Sequence, residues 1–258
     1  MDMGPDDEPE VDERILDTTT DDGEMAVLVK QPVGPAPDGG EWPVVLMFHD
    51  GPGIRSATHV FMRRLANAGY RVVTPDLYHR HGRLLGVEPE MRDTDPDVGR
   101  AMRTWLTSLT DDGIQHDADR ALVAAGVDPS TPIATIGFCL GARAVFRRIM
   151  SEPDRVVAGA TWHPSFLVDD GEDSPHRTAS EIPVPLYLAI GEADEVQSIA
   201  MHRDFLDAVE PVDDVTVETF EGADHGFTWP DHPTYDEAAA TRAWEVTTDL
   251  FARSFADA

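Results

Sequence analysis

The stretch Ile133-Ala134-Thr135-Ile136-Gly137-Phe138-Cys139-Leu140-Gly141-Ala142-Arg143 constrains this chain more than any other. An apolar, β-branched run passes straight into helix-forming residues, and a cysteine stands at the corner with glycine two positions to either side. Glycine fills 20 of the 258 positions, so chance sets two such glycines around a given residue in about half a per cent of cases. The pattern is a G-x-nucleophile-x-G elbow with cysteine in place of serine. So tight a turn strains the backbone of the corner residue, and a side chain at either flanking position would collide. Cys139 is the only cysteine, which excludes an intramolecular disulfide and a multi-cysteine zinc site. A lone cysteine is commonly a small buried hydrophobe; the strand–turn–helix setting is what marks this one as a nucleophile.

The rest of the chain alternates in the way such an elbow needs. Arg14–Thr19 and Glu24–Lys30 read as a hairpin around Asp21-Asp22-Gly23, followed by a buried strand over Pro43–Phe48. A helix with Phe61, Leu65 and Ala68 on one side closes at Gly69, and Arg71–Pro75 is the next strand. Leu77 to Thr94 is irregular and suits a loop at the rim of a site. Helices are expected from Pro96 through Leu106 and over about Gln115–Ala125. Strand and helix then alternate over Pro132–Ile136, Leu140–Met150, Val156–Trp162, Val184–Ile190, Ile199–Val209, Val215–Phe220 and about Tyr235–Phe255. Repeated βα units imply an α/β fold, a mostly parallel twisted sheet with helices on both faces. Sites in such sheets lie beyond the carboxyl ends of the strands. Residues 1–12 read as an acidic, flexible tail and 13–258 as one domain.

Charge bears on environment and partners. Asp and Glu number 49 against 20 Lys and Arg, a formal net of −29 spread along the whole chain, with Lys30 the sole lysine. A surface of this kind lacks the basic footprint that nucleic-acid binding needs. It fits a high-salt habitat, where screening shortens the reach of like-charge repulsion; a basic partner is the alternative. No run of 18 apolar residues suggests a membrane span. The acidic start lacks the features of a signal peptide, so a cytoplasmic protein, monomer or small homo-oligomer, is expected.

The helix that begins behind Cys139 favours the thiolate, and the Leu140 amide can point at a developing oxyanion. A second donor is expected from His49-Asp50-Gly51-Pro52-Gly53, with the Gly51 amide the choice. Acid and base should follow the nucleophile in chain order. Gly191-Glu192-Ala193-Asp194-Glu195 and Gly222-Ala223-Asp224-His225-Gly226-Phe227 each follow a strand. His225 is the expected base and Asp194 the acid that orients it, with Glu192 and Glu195 as alternatives. Trp162 and His163 follow a strand end and stand as pocket residues. His49, His79 and His81 do not form a zinc-binding pattern, and no metal is expected.

Several stretches resemble the dienelactone hydrolase family of α/β-hydrolases: Gly137 to Gly141, Pro75-Asp76-Leu77-Tyr78, Gly191 to Asp194, and Ala223 to Phe227. Asp50 to Arg55, Tyr78 to Gly82, Ser174 to Arg177 and His225 to Tyr235 resemble a less characterised branch of it. The resemblance spans about residues 14–255. It implies an α/β-hydrolase fold and cleavage of small esters or lactones through a thioester on Cys139, without a cofactor. By the same resemblance Asp50 falls where characterised members carry a glutamate that governs protonation of the thiol. Dienelactone-specific members also carry an arginine shortly after the catalytic histidine, and here Thr228 and Trp229 follow Phe227. Arg80, Arg92 and Arg100 are the candidates to replace it. The alternatives are a ligand- or redox-sensing protein on the same fold, or a hydrolase of another acyl bond such as a thioester.

Overall fold

The structure, a computed structural model, describes residues 10–37, 39–88, 91 and 94–258. Eight strands form one sheet in the order β1-β2-β4-β3-β5-β6-β7-β8. They are β1 (Val11–Thr20), β2 (Gly23–Pro32), β3 (Val44–Phe48), β4 (Arg71–Pro75), β5 (Ile133–Phe138), β6 (Val156–Trp162), β7 (Leu186–Gly191) and β8 (Val215–Phe220). β1 and β2 form an antiparallel hairpin, and β2 also runs antiparallel to β4; β4, β3, β5, β6, β7 and β8 pair in parallel. The α/β architecture expected from the sequence is therefore present, with one antiparallel hairpin at its edge.

Every residue of β3, β5 and β7 is buried. Strands covered on both faces read as continuous apolar runs, which is how these three stand out in the sequence. On one face lie α1 (Ser56–Asn67) and the C-terminal α6 (Glu237–Ala256), packed over Val45, Met47, Ala134, Ile136, Ala158 and Ala160. On the other lie α3 (Asp111–Ala124), α4 (Gly141–Ser151) and α5 (Arg203–Val209), packed over Leu46, Phe48, Ile133 and Leu188. α2 (Pro96–Ser108) sits outside these layers and has no fully buried residue. Its start is fixed by Pro96 and by Asp95, whose side chain accepts a hydrogen bond from the Asp97 amide.

Most boundaries fall within two residues of expectation. α3 begins four residues early, at Asp111, because the Thr110 hydroxyl caps it by accepting from the Gly113 amide at 3.1 Å. Ile199–Val209 divides into a 3-10 turn over Ile199–His202 and α5. β1 starts at Val11, inside the stretch expected as a tail, where Val11 and Asp12 pair with Pro32 and Gln31; of the rest of that stretch Glu10 is exposed, and residues 1–9 lie outside the described residues. The sole lysine is buried: Lys30 is 3% exposed and donates to Glu13 at 2.7 Å. Among the described residues, no helix is long and apolar enough to cross a membrane.

Candidate active site

Cys139, Asp194, His225, Asp50 and Gly51 all follow the carboxyl ends of parallel strands. Cys139 follows β5 in left-handed backbone, φ 52°, which a non-glycine residue holds at a cost of about 1–3 kcal/mol. The flanking glycines explain how the turn closes. A Cβ on Gly137 would run into the Gly141 carbonyl, and one on Gly141 would lie 2.6 Å from the Phe48 carbonyl oxygen. The Cys139 amide donates to the Trp162 carbonyl at 3.2 Å, tying the elbow to the end of β6.

His225 and Asp194 come from the loops after β8 and β7. His225 Nδ1 donates to Asp194 Oδ2 at 2.7 Å, and the other carboxylate oxygen accepts from the Val196 and Gln197 amides at 2.9 and 2.6 Å. Asp194 is thus held at both oxygens, whereas Glu192 turns to the Thr219 hydroxyl. Asp224 joins the two loops by accepting from the Glu195 and His225 amides. The imidazole faces the sulfur. Burial alone would lower its pKa, but the Cys139 charge and hydrogen bonds to Asp194 and Cys139 outweigh it, and His225 is raised to about 10. Burial likewise raises the thiol, yet the His225 charge and hydrogen bonds from His225 and Ser165 bring Cys139 below the ordinary thiol value. The two shifts run in the directions that favour negative charge on the sulfur and positive charge on the imidazole.

The loop after β3 carries Gly51, the residue expected to give the second donor. The Asp50 carbonyl accepts from His49 Nδ1 at 2.8 Å and from the Gly53 amide at 3.0 Å, which fixes the peptide that carries the Gly51 N–H. The Tyr78 hydroxyl donates to the Gly51 carbonyl at 2.8 Å and fixes the next peptide. Neither the Gly51 nor the Leu140 amide donates to another group among the described residues. Asp50 itself is 4% exposed. Burial raises its carboxyl pKa against the opposing charge of Arg55, whose Nη2 donates to Asp50 Oδ2 at 3.0 Å.

His163 lies in the site: its ring centroid is 5.0 Å from that of His225, and its Nε2 meets the Thr228 hydroxyl at 3.0 Å. Burial, then the His225 charge, drives its pKa well down, so this ring stays neutral.

Two expected pocket residues are elsewhere. Trp162 points with Ala158 and Ala160 into the layer under α1 and α6, where it packs on Phe61 and Phe138 and donates from Nε1 to the Thr247 hydroxyl at 3.0 Å. Strand alternation sets that direction. Arg80 is held by Asp117 at 2.7 and 3.1 Å and by Asp22 at 2.7 Å. A carboxylate as deeply buried as Asp117 needs a cation, and Arg80 is the one that serves it. Arg100 is an exposed partner of Asp97, and Arg92 lies outside the described residues. His79 also pairs with Asp117, at 3.3 Å, and His81 meets the Ser108 hydroxyl.

Two residues were not singled out in the sequence. Ser165, 1% exposed, places its hydroxyl 3.2 Å from Cys139 Sγ, and its amide donates to the Cys139 carbonyl at 2.9 Å. Arg55 is the cation beside Asp50. A charged residue in an otherwise small and apolar loop past a strand end was the available signal for Arg55. For Ser165 the signal was its place just past the end of β6, beside the elbow strand.

The Dienelactone hydrolase family model matches residues 25–255. A carboxymethylenebutenolidase from Rhodococcus opacus is 26% identical over 231 residues, covering 84% of this chain and 83% of its own. Among solved structures, a "Putative Dienelactone Hydrolase" from Klebsiella pneumoniae superposes with a TM-score of 0.79 at 20% identity, over 94% of this chain and 99% of that one. A dienelactone hydrolase-like promiscuous phosphotriesterase from metagenomic libraries gives 0.69 at 21% identity, over 94% and 98%. At such identities the superpositions speak for a shared α/β-hydrolase fold.

Proposed function

The chain belongs to the dienelactone hydrolase family, and from that premise we propose that it is a cofactor-independent hydrolase of small esters or lactones. Cys139, His225 and Asp194 form its catalytic triad. The observation that carries the reading is the 2.7 Å hydrogen bond from His225 Nδ1 to Asp194 Oδ2, with the His225 charge acting on the Cys139 thiol at the elbow.

The Cys139 thiolate attacks the carbonyl carbon, and the π pair moves onto oxygen, where the Gly51 and Leu140 amides receive it. Collapse breaks the bond to the alkoxy oxygen, which takes the proton from the His225 imidazolium and leaves as alcohol. In a lactone the new hydroxyl stays tethered to the acyl group. Neutral His225 then removes a proton from water as its oxygen attacks the thioester carbonyl, and the second collapse expels the thiolate. The imidazolium is restored, and Asp194 stabilises it at both stages. Asp50 opposes ionisation of the thiol through its charge, with Arg55 limiting that effect. Ser165 holds the sulfur through its hydroxyl.

Rapid mixing with aryl acetates and small lactones tests the proposal. A burst of alcohol equal to the enzyme concentration, with an acyl mass added at Cys139, is expected. Full turnover by Cys139→Ala would sink it.

A further inference from the structure

Two dipeptides tie the nucleophile to a cavity. Cys139 and Ser165 meet at the sulfur, and the residues that follow them, Leu140 and Phe166, both line a cavity of about 700 Å³. That volume falls within the usual range for small-molecule sites, roughly 300–1,000 Å³. Its remaining apolar walls are Leu106 of α2, Leu109 just beyond α2, and Ile114 of α3.

Ile114 and Leu140 belong to the core and Leu106 and Leu109 pack against its edge, whereas Phe166 stands outside it. α2 carries Met102, Trp105 and Leu106, yet none of its residues is fully buried, and Leu106 faces the cavity. Leu106 packs against the core only in part, and Trp105 rests on Tyr78. Phe166 is held in left-handed backbone, φ 61°, with 40% of its area exposed. That conformation is fixed from both sides: its amide donates to Gln197 Oε1 and its carbonyl accepts from Arg143 Nη1, each at 3.2 Å. A strained residue presenting a phenyl ring toward a cavity, one position along the chain from the residue that meets the sulfur, is placed to meet a ligand.

The rim decides which ligand. Asp111, Asp112, Asp169 and Asp173 border the cavity, with Arg103 and Arg143. Arg143 is engaged by Asp111 and Asp169, and Asp111 also binds Arg147. The rim is therefore negative on balance and disfavours a carboxylate.

We propose that this cavity is the subsite for an uncharged apolar chain of the substrate, so that esters bearing such a chain on the acyl or alkoxy side are preferred. The inference rests on the ester-hydrolase reading and adds its substrate class.

The test compares kcat/KM for 4-nitrophenyl acetate against 4-nitrophenyl octanoate, ethyl acetate against octyl acetate, and adds the mono-4-nitrophenyl ester of suberic acid. It uses the full chain and its Thr107→Trp variant. Thr107 is exposed on α2 and borders the cavity, so an indole there occupies the cavity without entering the core. At least one octyl-bearing ester should exceed its short counterpart by about tenfold or more, and Thr107→Trp should lower that ratio by about tenfold. The suberate half-ester, with a carboxylate at its tail, should fall below the octanoate. Turnover of the acetate with no gain for either octyl ester, preference for the suberate, or an unmoved ratio in folded Thr107→Trp overturns the subsite and leaves the hydrolase reading standing. If no ester is turned over, calorimetric titration with methyl octanoate separates the two readings. Binding that weakens in Thr107→Trp upholds the subsite while the hydrolase reading fails, and no binding overturns both.

Discussion

Arg55 Nη2 donates to Asp50 Oδ2 at 3.0 Å, and both side chains are almost wholly withdrawn from solvent. The guanidinium also lies 4.7 Å from the Trp229 ring centroid and 3.9 Å from Asp231. A charge introduced beside the nucleophile is thus largely neutralised within the same loop. Arg55→Met would strand a buried carboxylate, and a loss of about 3 kcal/mol is expected in urea denaturation. The double variant Asp50→Asn/Arg55→Met should regain part of it, because neither charge is then left alone. Equal stability of the single and double variants would refute the pairing argument.

The thiol and the imidazole set the pH dependence. Cys139 lies below the ordinary thiol value and His225 is raised to about 10, so the ion pair persists through the interval between the two. Alkylation by iodoacetamide should set in at lower pH than for an ordinary thiol and slow as pH falls through the lowered Cys139 value and the thiolate takes a proton. Replacing His225 by Gln removes the main stabilising charge while burial and the Asp50 charge still oppose ionisation, so the alkylation profile should move upward past about 8.5, the value of a free thiol. Because the chain has one cysteine, the stoichiometry of adduct read by mass spectrometry reports the site directly.

Ser165→Ala removes the hydroxyl 3.2 Å from the sulfur. The alkylation profile of Cys139 should shift to higher pH by less than about one unit, the size expected for one hydrogen bond. Ser165→Thr, which restores the hydroxyl, should bring it back. A profile indifferent to both changes would mean that the contact has no electrostatic effect.

Trp162 separates structure from catalysis. Thr247→Val leaves the buried indole Nε1 without its 3.0 Å acceptor, and a loss of about 1–3 kcal/mol is expected. Turnover per folded molecule should stay within about twofold, since the indole points away from the sulfur; thermal melts and active-site titration check both halves.

The parts legible in the sequence were those with a local cause. Gly137 and Gly141 mark the elbow because no Cβ fits there, and β3 and β5 announce themselves as unbroken apolar runs. His225 and Asp194 could be placed because each follows a strand whose carboxyl end faces the same side of the sheet. Partnership across the fold was not legible. Arg80 sits in the segment that looked like a rim, but its direction is set by the buried Asp117, 37 residues away. Trp162 ends a strand next to the elbow, and only the alternation of β6 decides that its ring faces α6. Ser165 and Arg55 reach the site through loop conformations, including the left-handed residues His163 and Phe166, that no periodicity encodes.

The burial of Lys30 against Glu13 has a practical corollary. With its sole lysine closed off at 3% exposure, the folded chain offers amine-directed cross-linkers and dyes no accessible lysine side chain. Coupling through carboxylates, of which there are 49 Asp and Glu, is the efficient route to labelling or immobilising it. Lysine acylation, by contrast, should proceed only when the β1–β2 hairpin opens, which makes it a direct reporter of unfolding at that edge of the sheet.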